Sequence, residues 1–329
     1  MSKTRVCVIG YGAMGKQHSR VLSSLSEFDL VGVHDPDSTV LSNLSTAIQM
    51  KSLEEIIGVE PDYVVIAAPT ILHGEIAEFF ITRKINLLIE KPMAHSSGVA
   101  SKLVDLANEN VTFGGIGHIE RFNPASIKAK ELINNGLIGE IISISTVRQG
   151  PSPARIKDVG VLFDLATHDI DLVQWLANSN YARFFVEGKL SEETGHESLI
   201  FSTGFLKSGC IVNHSVNWIS PVKVRKVSIL GTVGALEINT LNSELLHFES
   251  ASSNVYDQSI SKFTGNNVGT ISNLSFDKEE ALVLEHKSFR DYILGRSSEV
   301  VSFQEGFEIV KIAEAMKSQL NQSYALGNL

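Results

Sequence analysis

The sequence predicts an α/β protein in which a doubly wound parallel sheet is followed by an α+β domain with an open, mainly antiparallel sheet. Over the first 118 residues, short and continuously apolar strands alternate with helical patterns, which is typical of a parallel sheet covered by helices on both faces. A glycine-rich turn follows the first strand. After residue 118, strands separated by turns succeed one another. We therefore expect two domains, over residues 1–118 and 119–329.

The first domain is predicted from its apolar runs and helical periodicity. The predicted strands cover residues 5–10, 30–34, 62–67, 86–90 and 111–116, and the predicted helices cover residues 13–25, 40–48, 72–83 and 97–108. In this alternation a helix follows each strand but the last and brings the chain back to the end of the sheet where the next parallel strand starts. A dinucleotide-binding fold of the Rossmann type is built in this way.

The second domain contains fewer helices. We predict helices over residues 123–134, 164–177, 278–294 and 304–320, and strands over residues 141–147, 198–206, 210–218, 223–230 and 235–239. Pro124 is at the first helical position, where its missing N–H costs nothing. The segment 250–275 is rich in Ser and Asn, and we interpret it as loops or a weak hairpin.

Composition excludes several classes of protein. A formal net charge of -9 opposes nucleic-acid binding, which requires clustered Lys and Arg. Two isolated cysteines, Cys7 and Cys210, form neither a disulfide framework nor a zinc set, and we expect no metal site. The first residues lack a signal-peptide pattern, and no apolar run has membrane-spanning length. The expected location is therefore the cytoplasm, without membrane or nucleic-acid partners.

A G-x-G-x-x-G motif lies directly after the first strand and opens the first helix. It consists of Gly10, Tyr11, Gly12, Ala13, Met14 and Gly15. Such glycines allow a tight turn, a close approach to pyrophosphate and tight helix–strand packing. Asp35 ends the second strand, where a carboxylate can bind both ribose hydroxyls but repels a 2′-phosphate. Since no Arg or Lys follows directly, the sequence predicts NAD as the cofactor in preference to NADP.

Two further motifs carry groups suited to acid–base chemistry. Lys91 follows the strand 86–90, at the sheet edge where ligands bind, and its ammonium could stabilise a developing alkoxide. Asp164 and His168 are four residues apart on one predicted helix, so the carboxylate could orient the imidazole as a general base. Each motif alone also fits a simpler interpretation, namely a surface lysine at a strand end and a solvated Asp–His pair.

Taken together, these motifs resemble the Gfo/Idh/MocA family, which includes glucose–fructose oxidoreductase and inositol dehydrogenase. The resemblance covers essentially the whole chain. It implies that Lys91 and His168 are the catalytic pair and that Asp164 assists His168. It also implies that the nicotinamide and its ribose are lined by Pro69, Thr70, His73 and Glu90. In this family the second-domain sheet often mediates dimers or tetramers, so we expect a homo-oligomer.

The segment 117–124, with Arg121 and Asn123, is similar to the nucleotide-sugar branch of the family, which includes UDP-N-acetylglucosamine 3-dehydrogenase. The segment 121–157 contains six bases and two acids. This local charge of +4 would suit a diphosphate, and we therefore predict substrate contacts from Arg121, Asn123, Arg148 and Arg155. Two alternatives remain, a dehydrogenase of free sugars or inositol and a catalytically silent NAD-binding regulator.

Overall fold

A computed structural model describes residues 3–152, 159–250, 268–296 and 298–327. The chain forms two compact units. The first unit combines Met1–Ile119 with Glu280–Glu314, and the second combines Glu120–Glu279 with Ala315–Leu329. The first unit thus contains a C-terminal segment that the sequence boundary at residue 118 assigns to the second domain. No helix among the described residues is long and apolar enough to cross a membrane.

The first unit is built on a seven-stranded sheet with the order β15-β6-β5-β4-β1-β2-β3. All pairs in it are parallel except that of β15 with β6. The strands are β1 Thr4–Ile9, β2 Phe28–His34, β3 Gln49–Met50, β4 Tyr63–Ile66, β5 Asn86–Glu90, β6 Gly114–Gly117 and β15 Val301–Ser302. The helices are α1 Ala13–Ser24, α2 Leu53–Gly58, α3 Thr70–Ile81, α4 Ser97–Asn110, α7 Ala281–Ile293 and the first part of α8 Phe303–Gly327.

The strand order fixes the position of the cofactor site. The chain runs outwards from β1 in one direction through β2 and β3, and in the other through β4, β5 and β6. The side chains of the central strands β1 and β4 are almost entirely buried, because helices cover both faces. The order reverses between β1 and β4, and ligands of doubly wound sheets bind beyond the carboxyl ends of the strands at such a point.

The second unit contains an eight-stranded sheet with the order β14-β13-β12-β11-β7-β10-β9-β8. Its pairs are antiparallel apart from β7 with β10, as a mainly antiparallel sheet requires. The strands are β7 Ile141–Pro151, β8 Tyr181–Leu190, β9 Glu197–Leu206, β10 Ile211–Asn217, β11 Ile219–Gly231, β12 Gly234–Asn239, β13 Glu244–Ser250 and β14 Val268–Asn273. The helices are α5 Pro124–Asn134, α6 Thr167–Ala177 and the end of α8.

The two faces of this sheet differ in burial. One face packs on α5 and α6 around a core that includes Ile144, Val212 and Ile229. The other face exposes large apolar side chains, among them Phe185 at 62% and Phe201 at 54% of their surface. The predicted fold class is therefore confirmed in both halves.

The prediction of a helix over residues 40–48 is wrong. The structure has two short 3₁₀ turns there, Ser38–Leu41 and Thr46–Ile48, followed by β3 and α2. The side chains of Asp37 and Ser45 accept bonds from the backbone N–H groups of Thr39 and Ala47. Short polar side chains compete in this way with the bonds of a helix, so the apolar spacing alone is misleading. Most of the segment 250–275 lies outside the described residues.

Candidate active site

The glycines of the G-x-G-x-x-G motif have three different environments. Gly10 has a φ of +84°, which favours glycine, and a Cβ there would lie 2.6 Å from the Ala67 carbonyl oxygen. At Gly15 a Cβ would lie 1.8 Å from the Gly10 carbonyl oxygen, so only glycine lets α1 pack against the turn. At Gly12 a Cβ would meet no heavy atom of the described residues within 4 Å. The first and third glycines therefore serve packing, and the second leaves the backbone open.

The start of α1 is suited to an anion. Gly12 is the N-cap of the helix and provides no side chain to bind the first N–H groups, and no acidic side chain occupies the first turn. Free N–H groups at a helix N-terminus and the positive end of its dipole are what a pyrophosphate requires. The loop from Gly10 to Gly15 thus fits the phosphates of a dinucleotide.

Asp35 lies against this turn. One carboxylate oxygen accepts a 2.7 Å hydrogen bond from the backbone N–H of Tyr11, and the other accepts a 2.9 Å bond from the N–H of Asp37. A carboxylate can accept about four hydrogen bonds, so both oxygens keep capacity for ribose hydroxyls. These bonds hold the carboxylate beside the glycine turn.

The segment after β4 leads into α3, with Pro69 exposed as the N-cap residue and Thr70 as the first helical residue. His73 is buried in α3, and its ring nitrogens lie 3.0 Å from the Pro92 carbonyl oxygen and 2.9 Å from that of Ala68. Burial lowers the pKa of His73. His73 lies between these two carbonyl oxygens and so joins the loop after β4 to the loop after β5, and a neutral ring donates to one of the two.

Glu90 and Lys91 are at the carboxyl end of β5, one strand away from β4. The Glu90 carboxylate lies 2.9 Å from Nε2 of His18 and accepts a 3.3 Å bond from the backbone N–H of Lys91. Burial acts to raise the pKa of Glu90, but the bond to His18 and the charge of Lys91 outweigh it and lower that pKa. Lys91 itself is half-buried. The strand thus presents an ionised carboxylate and an amine where a cofactor would bind.

His168 lies on a helix that differs from the prediction. Residues Leu162–Ala166, including Asp164, form a π-helical turn, and α6 starts only at Thr167. π-helical turns are rare and occur mostly at functional sites. His168 is 9% exposed and Asp164 is half-buried. A buried imidazole on this helix is not the solvated pair that the simpler interpretation describes.

Two carboxylates beside His168 bind buried arginines. Nε of Arg148 lies 3.0 and 3.1 Å from the Asp169 carboxylate oxygens, and its Nη1 lies 2.7 Å from Glu120. Nε of Arg121 lies 3.0 Å from both oxygens of Asp171. Burial raises the pKa of Asp169 to about 6, although the Arg148 charge opposes this shift. Both predicted phosphate ligands thus bind carboxylates of this chain, which the charge count over residues 121–157 does not include.

The remaining predicted residues of this region have other contacts or are not described. Asn123 caps α5 by accepting a 3.0 Å bond from the Ala125 N–H and donates to the Thr240 carbonyl oxygen at 2.9 Å. Lys130 is 7% exposed and donates to carbonyl oxygens at the end of α6, so it does not belong to a solvated helix face. Arg155 lies outside the described residues.

Two family models match most of the chain. Residues 4–118 match the family described as "Oxidoreductase family, NAD-binding Rossmann fold", and residues 126–237 match the "GFO/IDH/MocA C-terminal domain". The chain belongs to this oxidoreductase family. As a Gfo/Idh/MocA protein it is an NAD-binding oxidoreductase, and the resemblance inferred from its motifs is confirmed.

Two relatives of this Gfo/Idh/MocA protein act on different substrates. UDP-N-acetylglucosamine 3-dehydrogenase of Acidithiobacillus ferrooxidans is 25% identical over 247 residues, 74% of this chain and 77% of that protein. Inositol 2-dehydrogenase of Acidothermus cellulolyticus is 29% identical over 181 residues, 52% of this chain and 53% of that protein. A crystal structure of the first enzyme has the same fold, with a TM-score of 0.83, 23% identity and coverage of 97% and 98% of the two chains.

The structure brings the predicted residues together within each unit. In the first unit, Asp35 contacts the glycine turn, and His73 contacts the loop that follows Lys91. In the second unit, Arg121 and Arg148 bind neighbours of His168 on α6. Sequence reasoning missed His18, Glu120 and Asp169. Asp169 and Asp171 are visible in the sequence as two acids that flank Ile170. The arginines that they bind are 21 and 50 residues away, respectively.

Proposed function

We propose that this protein oxidises a secondary hydroxyl group of a sugar with NAD, and that its substrate is a nucleotide sugar such as UDP-N-acetylglucosamine, oxidised at C3. The observation that carries the proposal is the Asp35 carboxylate bound to the backbone of the glycine turn. It provides a ribose-binding group beside an open helix N-terminus. The substrate class rests on the relative that aligns with 74% of the chain.

The preference for NAD over NADP rests on charge. Asp35 is followed by Pro36 and Asp37, and the N–H of Asp37 already binds Asp35. A 2′-phosphate would therefore meet two carboxylates and no nearby cation on this loop. The ribose hydroxyls of NAD would instead donate to the free lone pairs of Asp35. Pro69, Thr70, His73 and Glu90 would complete the nicotinamide side, with His73 acting through the loops that it joins.

Lys91, His168 and Asp164 have distinct roles in the proposed reaction. When bound, the nicotinamide of NAD would supply the acceptor for the hydride that leaves the substrate carbon. The His168 imidazole takes the hydroxyl proton while the carbon–oxygen double bond forms, and Asp164 assists it. The Lys91 ammonium stabilises the negative charge that develops on that oxygen. The bond broken at carbon and the proton lost at oxygen together account for a two-electron oxidation of alcohol to ketone.

Arg121, Asn123 and Arg148 are the proposed substrate residues. Their polar groups are engaged inside the second unit. A diphosphate would have to share these arginines with their carboxylates. The inositol 2-dehydrogenase relative favours a second candidate, the oxidation of a free polyol without a nucleotide.

A substrate panel tests the proposal. Formation of reduced nicotinamide would be followed by absorbance with UDP-N-acetylglucosamine, UDP-glucose, myo-inositol and free glucose, each with NAD or NADP. We expect turnover with a UDP-sugar and NAD, and loss of turnover in Lys91→Ala. Turnover only with inositol or glucose would favour the second candidate. No reduction with any sugar, despite tight NAD binding, would instead favour a silent NAD-binding regulator.

We also propose that the protein forms a homo-dimer or homo-tetramer through the exposed sheet face of the second unit. Phe185 and Phe201 project from that face on adjacent strands, and Ile211 and Leu230 are also exposed. Large apolar side chains exposed together on one sheet face are typical of interfaces. Light scattering should give an oligomer for the wild type and a monomer for Phe201→Glu. Val111→Glu, at an 85% exposed position of the first unit, is the matched control and should stay oligomeric.

A further inference from the structure

A continuous chain of buried hydrogen bonds crosses the first unit and ends at Glu90. The Tyr63 hydroxyl lies 2.8 Å from Nδ1 of His286. Nε2 of His286 lies 3.0 Å from Nδ1 of His18, and Nε2 of His18 lies 2.9 Å from Oε1 of Glu90. Each ring nitrogen and each terminal oxygen has its partner within hydrogen-bond distance. Four polar groups are therefore linked in one line.

The members come from four different elements of the unit, namely β4, α7, α1 and β5. The side chains of Tyr63, His286 and His18 are all 0% exposed. Burying three polar side chains is costly unless each is hydrogen-bonded, and a hydrophobic core has no need of them. The proposed reaction assigns a role to Glu90 but none to the other three. The chain thus requires its own explanation.

The positions of the protons follow from counting donors. An ionised Glu90 can only accept, so Nε2 of His18 carries a proton. If His18 is neutral, its Nδ1 accepts, and Nε2 of His286 then carries a proton. Burial lowers the pKa of His286 well below its ordinary value, so this ring has a single proton and its Nδ1 accepts from the Tyr63 hydroxyl. With His18 neutral, donation that runs from Tyr63 through His286 and His18 to Glu90 therefore satisfies all four groups.

We propose that Tyr63, His286 and His18 are positioning residues that act through Glu90 on the neighbouring Lys91. This inference rests on the proposed function. Glu90 accepts the backbone N–H of Lys91 through Oε2 and the imidazole N–H through Oε1, so its carboxylate is held from both sides. Glu90, which only accepts, and the Tyr63 hydroxyl, which donates to Nδ1 of His286, lie at the two ends of the chain and together favour the tautomer in which Nε2 of each ring carries the proton. A fixed carboxylate in turn fixes where the amine of Lys91 can lie.

Other ionisable groups surround Glu90 and influence its charge. Lys91 follows it on the chain, His18 faces it from α1, His73 from α3 and Glu285 from α7. Glu285 is 1% exposed, and burial together with the Glu90 charge raises its pKa well above the ordinary value. A neutral Glu285 leaves Glu90 as the single negative charge among these groups. The donor from His18 then directly favours the ionised form of Glu90.

The proton positions can be measured without any substrate. Nitrogen-15 NMR of the full-length protein with labelled histidine distinguishes the two neutral tautomers and the doubly protonated ring. For the wild type at neutral pH we expect both His18 and His286 to carry their proton on Nε2. In Tyr63→Phe we expect a mixture of tautomers. A proton on Nδ1 of His286, or a doubly protonated His18, would overturn the proposal, whether or not any sugar is turned over and whether or not the variant folds.

The functional consequence is tested with Tyr63→Phe, which removes one oxygen three hydrogen bonds away from Glu90. We expect kcat to fall about tenfold, as for other supporting residues of active sites. The acid limb of the kcat/KM profile should move to higher pH, while the Kd for NAD stays within about twofold. Unchanged kcat and an unchanged pH profile would refute the positioning role.

Two variants separate positioning from mere packing. Phe289→Leu is the packing control, because the Phe289 ring lies 4.9 Å from that of Tyr63 and takes no part in the chain. It should lower the melting temperature and leave kcat and the pH profile unchanged. His18→Gln keeps an N–H that can reach Glu90, whereas His18→Leu does not. We expect His18→Gln to retain several-fold more activity than His18→Leu, and equal losses would count against the proposal.

Discussion

The Gly12→Ala variant should bind NAD more weakly without losing stability. Gly12 has φ -71° and ψ -156°, an extended conformation that alanine also adopts, and an added Cβ meets no described heavy atom within 4 Å. The free energy of unfolding should therefore change by less than about 1 kcal/mol. In the complex, however, the methyl group would fill the space in which the pyrophosphate comes close to the backbone. Loss of one charge-assisted hydrogen bond costs about 1.5–3 kcal/mol, and 1.4 kcal/mol is tenfold in affinity, so the Kd should rise at least about tenfold.

Isothermal titration with NAD and urea unfolding measure the two quantities separately. Gly15→Ala is the contrasting variant, because its Cβ would lie 1.8 Å from the Gly10 carbonyl oxygen, and both stability and affinity should fall. Gly98→Ala, in α4 with no described atom within 4 Å, is the matched control and should leave the Kd unchanged. Wild-type affinity in Gly12→Ala, or unfolding as severe as that of Gly15→Ala, would refute the reasoning.

Three further outcomes are expected. Asp35→Ala should weaken NAD binding and reduce the preference over NADP, and an unchanged ratio of the two Kd values would remove the ribose role. Lys91→Ala and His168→Ala should each lower kcat by a factor of at least about 100 while NAD still binds, as expected for acid–base groups. Burial lowers the pKa of His214 to about 3 from an ordinary 6.5. As the pH falls, His214 of the unfolded protein takes up a proton before His214 of the folded protein does. The free energy of unfolding should therefore decrease from pH 6.5 towards pH 3, by up to about 1.4 kcal/mol per pH unit. The urea midpoint of His214→Asn should depend less steeply on pH over this range than that of the wild type.

Much of the fold could be predicted because its signals are local. Continuously apolar strands, the glycine turn and Pro124 at the start of α5 each depend on neighbouring residues. The segment 40–48 was mispredicted for an equally local reason, because Ser and Asp side chains bind the backbone. The inclusion of α7 in the first unit could not be inferred, since its contacts join residues far apart in the sequence. His18 and His286, for example, are 268 residues apart.

The candidate site could be predicted from the sequence where its residues belong to a motif. Asp35 lies against the glycine turn as the spacing of a dinucleotide site requires. Charge was harder to predict, because two arginines of the basic segment 121–157 pair with acids outside it. Arg148 binds Glu120 and Asp169, and Arg121 binds Asp171. A sum of charges along the chain contains no information on such pairs, which form when distant elements pack together.

Transfer of a labelled hydrogen from the sugar to the cofactor is a direct test of the proposed oxidation. The protein would be mixed in single turnover with NAD and UDP-N-acetylglucosamine deuterated at C3, and the nicotinamide product would be analysed by mass spectrometry. We expect one deuterium in the reduced cofactor for the wild type. For Lys91→Ala and His168→Ala with NAD bound, we expect almost none in the same time. Reduced cofactor without deuterium, or undiminished transfer in both variants, would contradict the proposal.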